Sequence, residues 1–170
     1  MKKYHSKDKY SLNLIPAKEF KREIIDFITS ILEITKLRDL ETGGHLNRSS
    51  EYSKLLSLKL KEEGLFNDIH GDDFIDDEFI ENIWFAAPLH DIWKIWISDL
   101  ILLKPWKLTK EEFEEMKNHT IIWAEFIRNL EMKREMYNPL LTMSETIIRS
   151  HHEKYDWSGY PDWLAWDEIR

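Results

Sequence analysis

The apolar residues Phe20, Ile24, Phe27, Ile31 and Ile34 step along the chain by 4, 3, 4 and 3 positions. Only a helix of 3.6 residues per turn brings such a series onto one side, so the spacing dictates which kind of element the chain uses there. The signal recurs, because Thr109 and Glu112 form a T-x-x-E capping box ahead of Phe113, Met116, Trp123 and Phe126 and predict a helix over 110–130. Alternation of period two is scarce, and no Asn-Gly or Asp-Gly turn joins two β-rich runs. The expected fold is all-α, a helical bundle of five or more helices.

Residues 1–14 carry Lys2, Lys3, Lys7 and Lys9 without sustained periodicity and read as a flexible N-terminal arm. A leading helix is expected over 15–37, opened by Pro16, a residue suited to a first turn. Its stripe can pack on the core or pair with a second copy as a homodimer. A second helix is expected over about 40–63, with Leu55, Leu56, Leu58 and Leu60 as apolar positions and Gly64 as C-terminal cap. The acidic loop 67–77 ends in aspartates able to cap a helix over 78–90. A further helix is expected at about 140–153, and Ser158-Gly159 with Pro161 mark 156–167 as turns.

The 170 residues hold 24 Lys and Arg against 32 Asp and Glu, a net charge of −8. That length suits one domain, and 42% hydrophobic residues suffice for a core. An acidic balance without basic clusters argues against general DNA or RNA binding, because neutralising phosphates needs a Lys/Arg surface. The sequence has no run of 18 apolar residues and no apolar leader segment behind its lysine-rich start, so the expectation is no membrane span and a cytoplasmic location. The absence of cysteine excludes disulfides, thiolate zinc sites and cysteine nucleophiles.

Histidine is the residue type with chemical promise. Seven occur, at positions 5, 45, 70, 90, 119, 151 and 152. Glu41 and His45 are spaced i, i+4 and so share one helix face. His90-Asp91 ends a predicted helix, His119 shares an inward face with Met116 and Trp123, and His151-His152 close the last helix. A lone histidine on an apolar face is more often a hydrogen-bonded core residue, and adjacent pairs arise by chance on surfaces. Together these residues form a nitrogen and oxygen donor set suited to Fe, Mn or Zn, with carboxylates suited to bridging two ions. His5 and His70 are expected to be solvated, and the Lys/Glu runs at 59–63 and 110–117 to be exposed helix faces.

The segments ETGGH (41–45), AAPLHDI (86–92), ILLKP (101–105), MKNHT (116–120), SHHE (150–153) and SGYPD (158–162), together with Lys94, resemble the HD-GYP family of metal-dependent phosphodiesterases in order and spacing. The resemblance runs from about residue 38 to the end and implies an HD domain over 38–170. It implies hydrolysis of cyclic di-GMP to pGpG or GMP by metal-activated water, at two or three divalent ions, Fe or Mn. It makes Glu41, His45, His90, Asp91, His119, His151 and His152 the metal ligands, with Glu41 serving a third ion and Asp91 bridging two. Asp91 and Lys94 would be catalytic, Lys94 meeting the substrate phosphate or the attacking hydroxide. Gly159, Tyr160 and Pro161 would form the substrate and partner loop, and Asp99 and Glu153 would lend support from behind. The implied partners are a cyclic dinucleotide substrate and diguanylate cyclase (GGDEF) domains. Two rivals stand beside this reading: an HD-type phosphohydrolase of another nucleotide, and a catalytically inert module that binds such cyclases. The chemistry suits the residues, since attack on an anionic phosphodiester needs an activated water and positive charge at the developing transition state.

The pattern departs from the family in two ways. Trp93, Trp96, Trp106, Trp123, Trp157, Trp163 and Trp166 stand where the family usually carries glycine, and only Trp84 lies outside this set. Trp93 would set an indole beside Lys94, and Trp123 would overpack a helix contact at a cost of about 1–3 kcal/mol. Glycine occurs 5 times in 170 residues, against the roughly 12 that an average of about 7% would give. A gene in which UGA encodes glycine, translated with UGA as tryptophan, accounts for both counts. Genuine tryptophans at 93 and 96 would favour the inert module. Secondly, Arg170 precedes the point where the family supplies a last aspartate ligand, so the domain is expected to be incomplete at its C-terminus.

Overall fold

A computed structural model describes residues 17–38, 40–65, 74–134 and 137–169; the expected N-terminal arm, His5 and His70 lie outside them. Six α-helices occur among the described residues: α1 (Ala17–Arg38), α2 (Leu40–Glu62), α3 (Asp77–Ala86), α4 (Asp99–Leu102), α5 (Lys110–Arg134) and α6 (Pro139–Ser150). A 3-10 segment, Ala87–Trp96, separates α3 from α4, and a second, Trp166–Glu168, follows the loop after α6. The described residues contain no strand, only an isolated antiparallel bridge between Asp156 and Ala165. The all-α expectation holds.

Local chemistry sets the helix ends. Asp76 accepts the Phe79 N–H at 2.7 Å and so caps α3, as the acidic loop foretold. Thr109 and Glu112 form the reciprocal capping box, with Thr109 N–H on Glu112 Oε2 at 2.7 Å and Glu112 N–H on Thr109 Oγ1 at 3.3 Å. Asn138 accepts from Leu140 and Leu141 N–H at 3.0 and 3.2 Å, and Pro139 opens α6. Gly64 takes φ 63°, the left-handed stop that ends α2.

Two expectations need correction. The helix expected over 78–90 stops at Ala86 and tightens into the 3-10 segment. Pro88 accounts for this, since it has no N–H to continue the α ladder and its ring crowds the preceding turn. On α2, Leu55 and Leu56 are 59% and 60% exposed and Leu58 is exposed too, while Leu46, Ser50 and Ser57 are the buried positions. At 100° per residue, positions 55, 56, 58 and 60 spread around the helix and cannot share one buried face.

The core gathers Ile24 and Ile28 of α1, Ala86 of α3, Leu89 and Ile92 of the 3-10 segment, Ile127 of α5, and Leu140, Leu141 and Ile148 of α6. On α1 the buried edge runs through Ile24 and Ile28, leaving Phe27 and Ile34 of the stripe exposed. The segment Ala87–Trp96 contacts α1, α2, α3, α5 and α6. It is the central element of the fold, and it carries His90, Asp91 and Lys94.

Candidate metal centre

In a 3-10 helix, side chains at i and i+3 eclipse one another. Lys94 therefore stands over Asp91, with Nζ 2.8 Å from Asp91 Oδ2. Asp91 is buried, and the other elements direct histidines toward it. His45 comes from α2, His90 from the same segment, His119 from the middle of α5, and His151 and His152 from the end of α6. Two groups result, and each brings its ligand atoms within 4.8 Å of one another. One holds His45, His90 and Asp91; the other holds Asp91, His119, His151 and His152. Asp91 belongs to both.

The imidazoles are oriented from behind. His90 Nδ1 donates to the Ala87 carbonyl at 2.7 Å, His119 Nδ1 to Met116 at 2.6 Å, and His151 Nδ1 to Ile148 at 2.9 Å. Each acceptor lies three residues back on the same helical turn. A carbonyl only accepts, so in each neutral ring Nδ1 bears the hydrogen and Nε2 presents a bare lone pair. Those lone pairs converge. His119 Nε2 and His151 Nε2 lie 3.3 Å apart, and His45 Nε2 approaches the His90 lone pair at 3.3 Å, as a second nitrogen donor whichever ring atom carries its hydrogen. Asp91 Oδ2 lies 3.3 Å from His90 Nε2. Asp91 Oδ1 is buried without a hydrogen-bond partner, and its nearest imidazole nitrogens, those of His151 and His119, are 3.7 and 4.0 Å away.

Lone pairs and a carboxylate oxygen turned on one another repel unless a cation sits among them. An orphaned carboxylate oxygen is costly in a protein interior. The donor set thus fits divalent metal ions, and carbonyl-anchored imidazoles are the usual second layer of such a site. The electrostatics agree. Burial pushes the Asp91 carboxyl up, but contacts with His151 and His90 and the charge of Lys94 outweigh this and hold it far below the usual carboxylate range. Burial lowers His119 to about 4. Burial and the neighbouring His151 lower His152 to about 3. Both rings are neutral at physiological pH, the form that binds metal.

The loop after α6 closes over one side of this cluster. The Tyr160 ring stacks on His152 with centroids 4.6 Å apart and planes at 22°. Phe113 meets the same ring edge-on at 5.9 Å, and Lys117 Nζ lies 5.6 Å from its centre. Burial, with the Asp91 charge, pushes the Tyr160 phenol up to about 12. Glu153 accepts backbone N–H groups from Asp162 at 2.6 Å and Leu164 at 3.0 Å. Arg149 grips Asp162 through two bonds of 2.6 Å. Gly159 passes so close to residues 152–154 that an added Cβ would meet Lys154 N at 2.4 Å.

Of the residues singled out in the sequence, the fold brings His45, His90, Asp91, Lys94, His119, His151 and His152 into one cluster, with Tyr160 of the Gly159-Tyr160-Pro161 loop upon it. Glu41 lies on α2, and its side chain, like that of Trp93, is outside the described residues. Asp99 opens the short helix α4. Sequence reasoning missed the Arg149–Asp162 clamp and the Phe113–Tyr160–Lys117 stack, because no spacing rule links a helix face to a loop 13 or more residues away.

Residues 42–168 match the HD domain family. The chain is 38% identical over 142 residues to a probable cyclic di-GMP phosphodiesterase of Vibrio cholerae serotype O1, covering 84% of this chain and 31% of that protein. It is 40% identical over 157 residues to a cyclic di-GMP phosphodiesterase of Thermotoga maritima, covering 90% and 38%. It is 30% identical over 156 residues to 3'3'-cGAMP-specific phosphodiesterase 2 of Vibrio cholerae, covering 92% and 26%. The chain spans about a third of the length of the curated relatives it matches.

Proposed function

The chain belongs to the HD domain family, in its HD-GYP branch, and from that premise we propose that it is a metal-dependent phosphodiesterase that hydrolyses cyclic di-GMP to pGpG and GMP. The observation that carries this reading is the buried Asp91 carboxylate shared by two histidine groups. His45, His90 and Asp91 would hold one ion, Asp91, His119, His151 and His152 a second, and Glu41, one helical turn from His45, would serve a third. Divalent ions held there supply a water of lowered pKa and a clamp for phosphoryl oxygens in an in-line displacement. A donor set of nitrogen and oxygen without thiolate suits Fe, Mn or Zn, and the resemblance to the HD-GYP family favours Fe or Mn.

The protein's own groups do the rest. Lys94, already 2.8 Å from Asp91, adds positive charge where the transition state gathers negative charge. The three carbonyl-bound imidazoles hold their Nε2 atoms in place, so no reorientation is needed as charge develops. The Tyr160 phenol stays protonated and offers a donor beside His152, and the loop that carries it forms the face toward substrate and diguanylate cyclase partners. Relatives at 37–40% identity are named for cyclic di-GMP and two at 30% for 3'3'-cGAMP, which favours the former substrate.

The test is to supply Mn(II)- or Fe(II)-loaded protein with cyclic di-GMP and 3'3'-cGAMP separately and resolve the products by chromatography. The expected result is pGpG followed by GMP from cyclic di-GMP. Activity should vanish with EDTA and fall at least about 100-fold in Asp91→Asn. Preferential cleavage of another nucleotide would install the other-substrate reading. A metal-loaded protein that cleaves none but binds a diguanylate cyclase domain would install the inert module.

A further inference from the structure

Three described residues other than glycine occupy the left-handed region of backbone space: Trp157 at φ 62°, Trp163 at φ 55° and Trp166 at φ 50°. All three are tryptophan, which fills only 8 of the 170 positions. In that region a side chain's Cβ crowds the neighbouring carbonyl, and for a bulky residue the conformation is a genuine outlier. Glycine takes it at no steric cost. The strain is not repaid by burial, since the three side chains remain 55%, 66% and 56% exposed. The Trp157 and Trp166 rings lie 5.5 Å apart, and Trp166 stacks on Tyr155 at 5.9 Å.

Trp84 behaves in the opposite way. Its indole N–H donates to Glu51 at 2.9 Å, tying α3 to α2, and Lys54 lies 6.0 Å over its ring. This tryptophan uses its side chain in an ordinary helical backbone. The three left-handed tryptophans all fall on glycine positions of the family pattern and Trp84 does not, while Trp93, Trp96, Trp106 and Trp123 share that pattern without a left-handed backbone.

We infer that the protein made in its own cell carries glycine at positions 157, 163 and 166, and at 93, 96, 106 and 123 through the same codon. That codon is UGA, decoded there as glycine and written as tryptophan under a code that assigns it to tryptophan. Trp84 is encoded by UGG and is a tryptophan in the cell. At 157, 163 and 166 this stands on backbone geometry, and at 93, 96, 106 and 123 on the family's glycine pattern; neither depends on the substrate. It leaves every proposed metal ligand untouched and places glycine on both sides of Lys94, at 93 and 96.

Two measurements decide it. The gene is read at all eight codons, and the natural protein is digested with trypsin and its peptides weighed. Residues 155–170 form one tryptic peptide containing Trp157, Trp163 and Trp166, and residues 62–94 form another containing both Trp84 and Trp93. The expected result is UGA at the seven positions and UGG at 84. The first peptide should be lighter by three tryptophan-to-glycine exchanges and the second by one. UGG at any of 157, 163 or 166, or an intact indole at any of them in the first peptide, overturns the inference.

Discussion

Gly159 and Trp166 sit seven residues apart in one loop, and single substitutions at them should move stability in opposite directions. An alanine at 159 would press its Cβ onto backbone atoms of Lys154, Glu153 and His152 at 2.4–2.6 Å, and none of these is a flexible side-chain end. Gly159→Ala should therefore cost at least the roughly 1–3 kcal/mol of ordinary overpacking, read by chemical denaturation. Trp166→Gly should instead relieve about 1–2 kcal/mol of left-handed strain, less what the stack on Tyr155 returns. A loss of stability in Trp166→Gly would mean the loop depends on that indole. Both residues can be found in the sequence, but only the folded backbone, by its close packing at 159 and its torsion at 166, reveals that one position forbids a side chain and the other tolerates it under strain.

At the scale of elements, the 3-10 segment and the loop after α6 shape the centre. The tighter winding of Ala87–Trp96 stacks Lys94 over Asp91, a register that a continued α-helix would not impose so closely. The loop is held by Glu153, whose carboxylate receives two backbone N–H groups. Hydrogen bonds to a charged group contribute about 1.5–3 kcal/mol each. Glu153→Ala should expose the Asp162 and Leu164 amides to faster hydrogen exchange and, on the proposed function, raise the KM for cyclic di-GMP, while bound metal remains unchanged. Loss of metal in this variant would show that Glu153 supports the histidines rather than the loop.

The whole molecule should respond to acid through the same cluster. Without metal, His119 and His152 titrate near 4 and 3 in the folded protein, where burial keeps them neutral, but near 6.5 when unfolded. Between those values the unfolded chain binds more protons than the folded one. Stability is then full above about pH 6.5 and falls as the pH drops toward 4. The depressed Asp91 pKa acts in the same direction, its contribution being lost at still lower pH. Thermal melts of EDTA-treated protein at a series of pH values should show that slope. Added Mn(II) should raise the melting temperature most at neutral pH, because metal binds the folded state and requires unprotonated imidazoles.

The sequence by itself determined the helical class, the capping of α3 and α5, the stop at Gly64 and the identity of the clustered histidines. These are local matters, set by periodicity, by side chains within a few residues of a helix end, and by residue chemistry. Tertiary structure decided which apolar positions are buried, since α2 turns Leu46, Ser50 and Ser57 inward and leaves Leu55 and Leu56 in solvent. It also decided that imidazoles separated by 45 residues, His45 and His90, meet at 3.3 Å, and that one carboxylate serves both groups. Distances of that kind depend on how helices pack around a shared core, and no spacing along the chain encodes them.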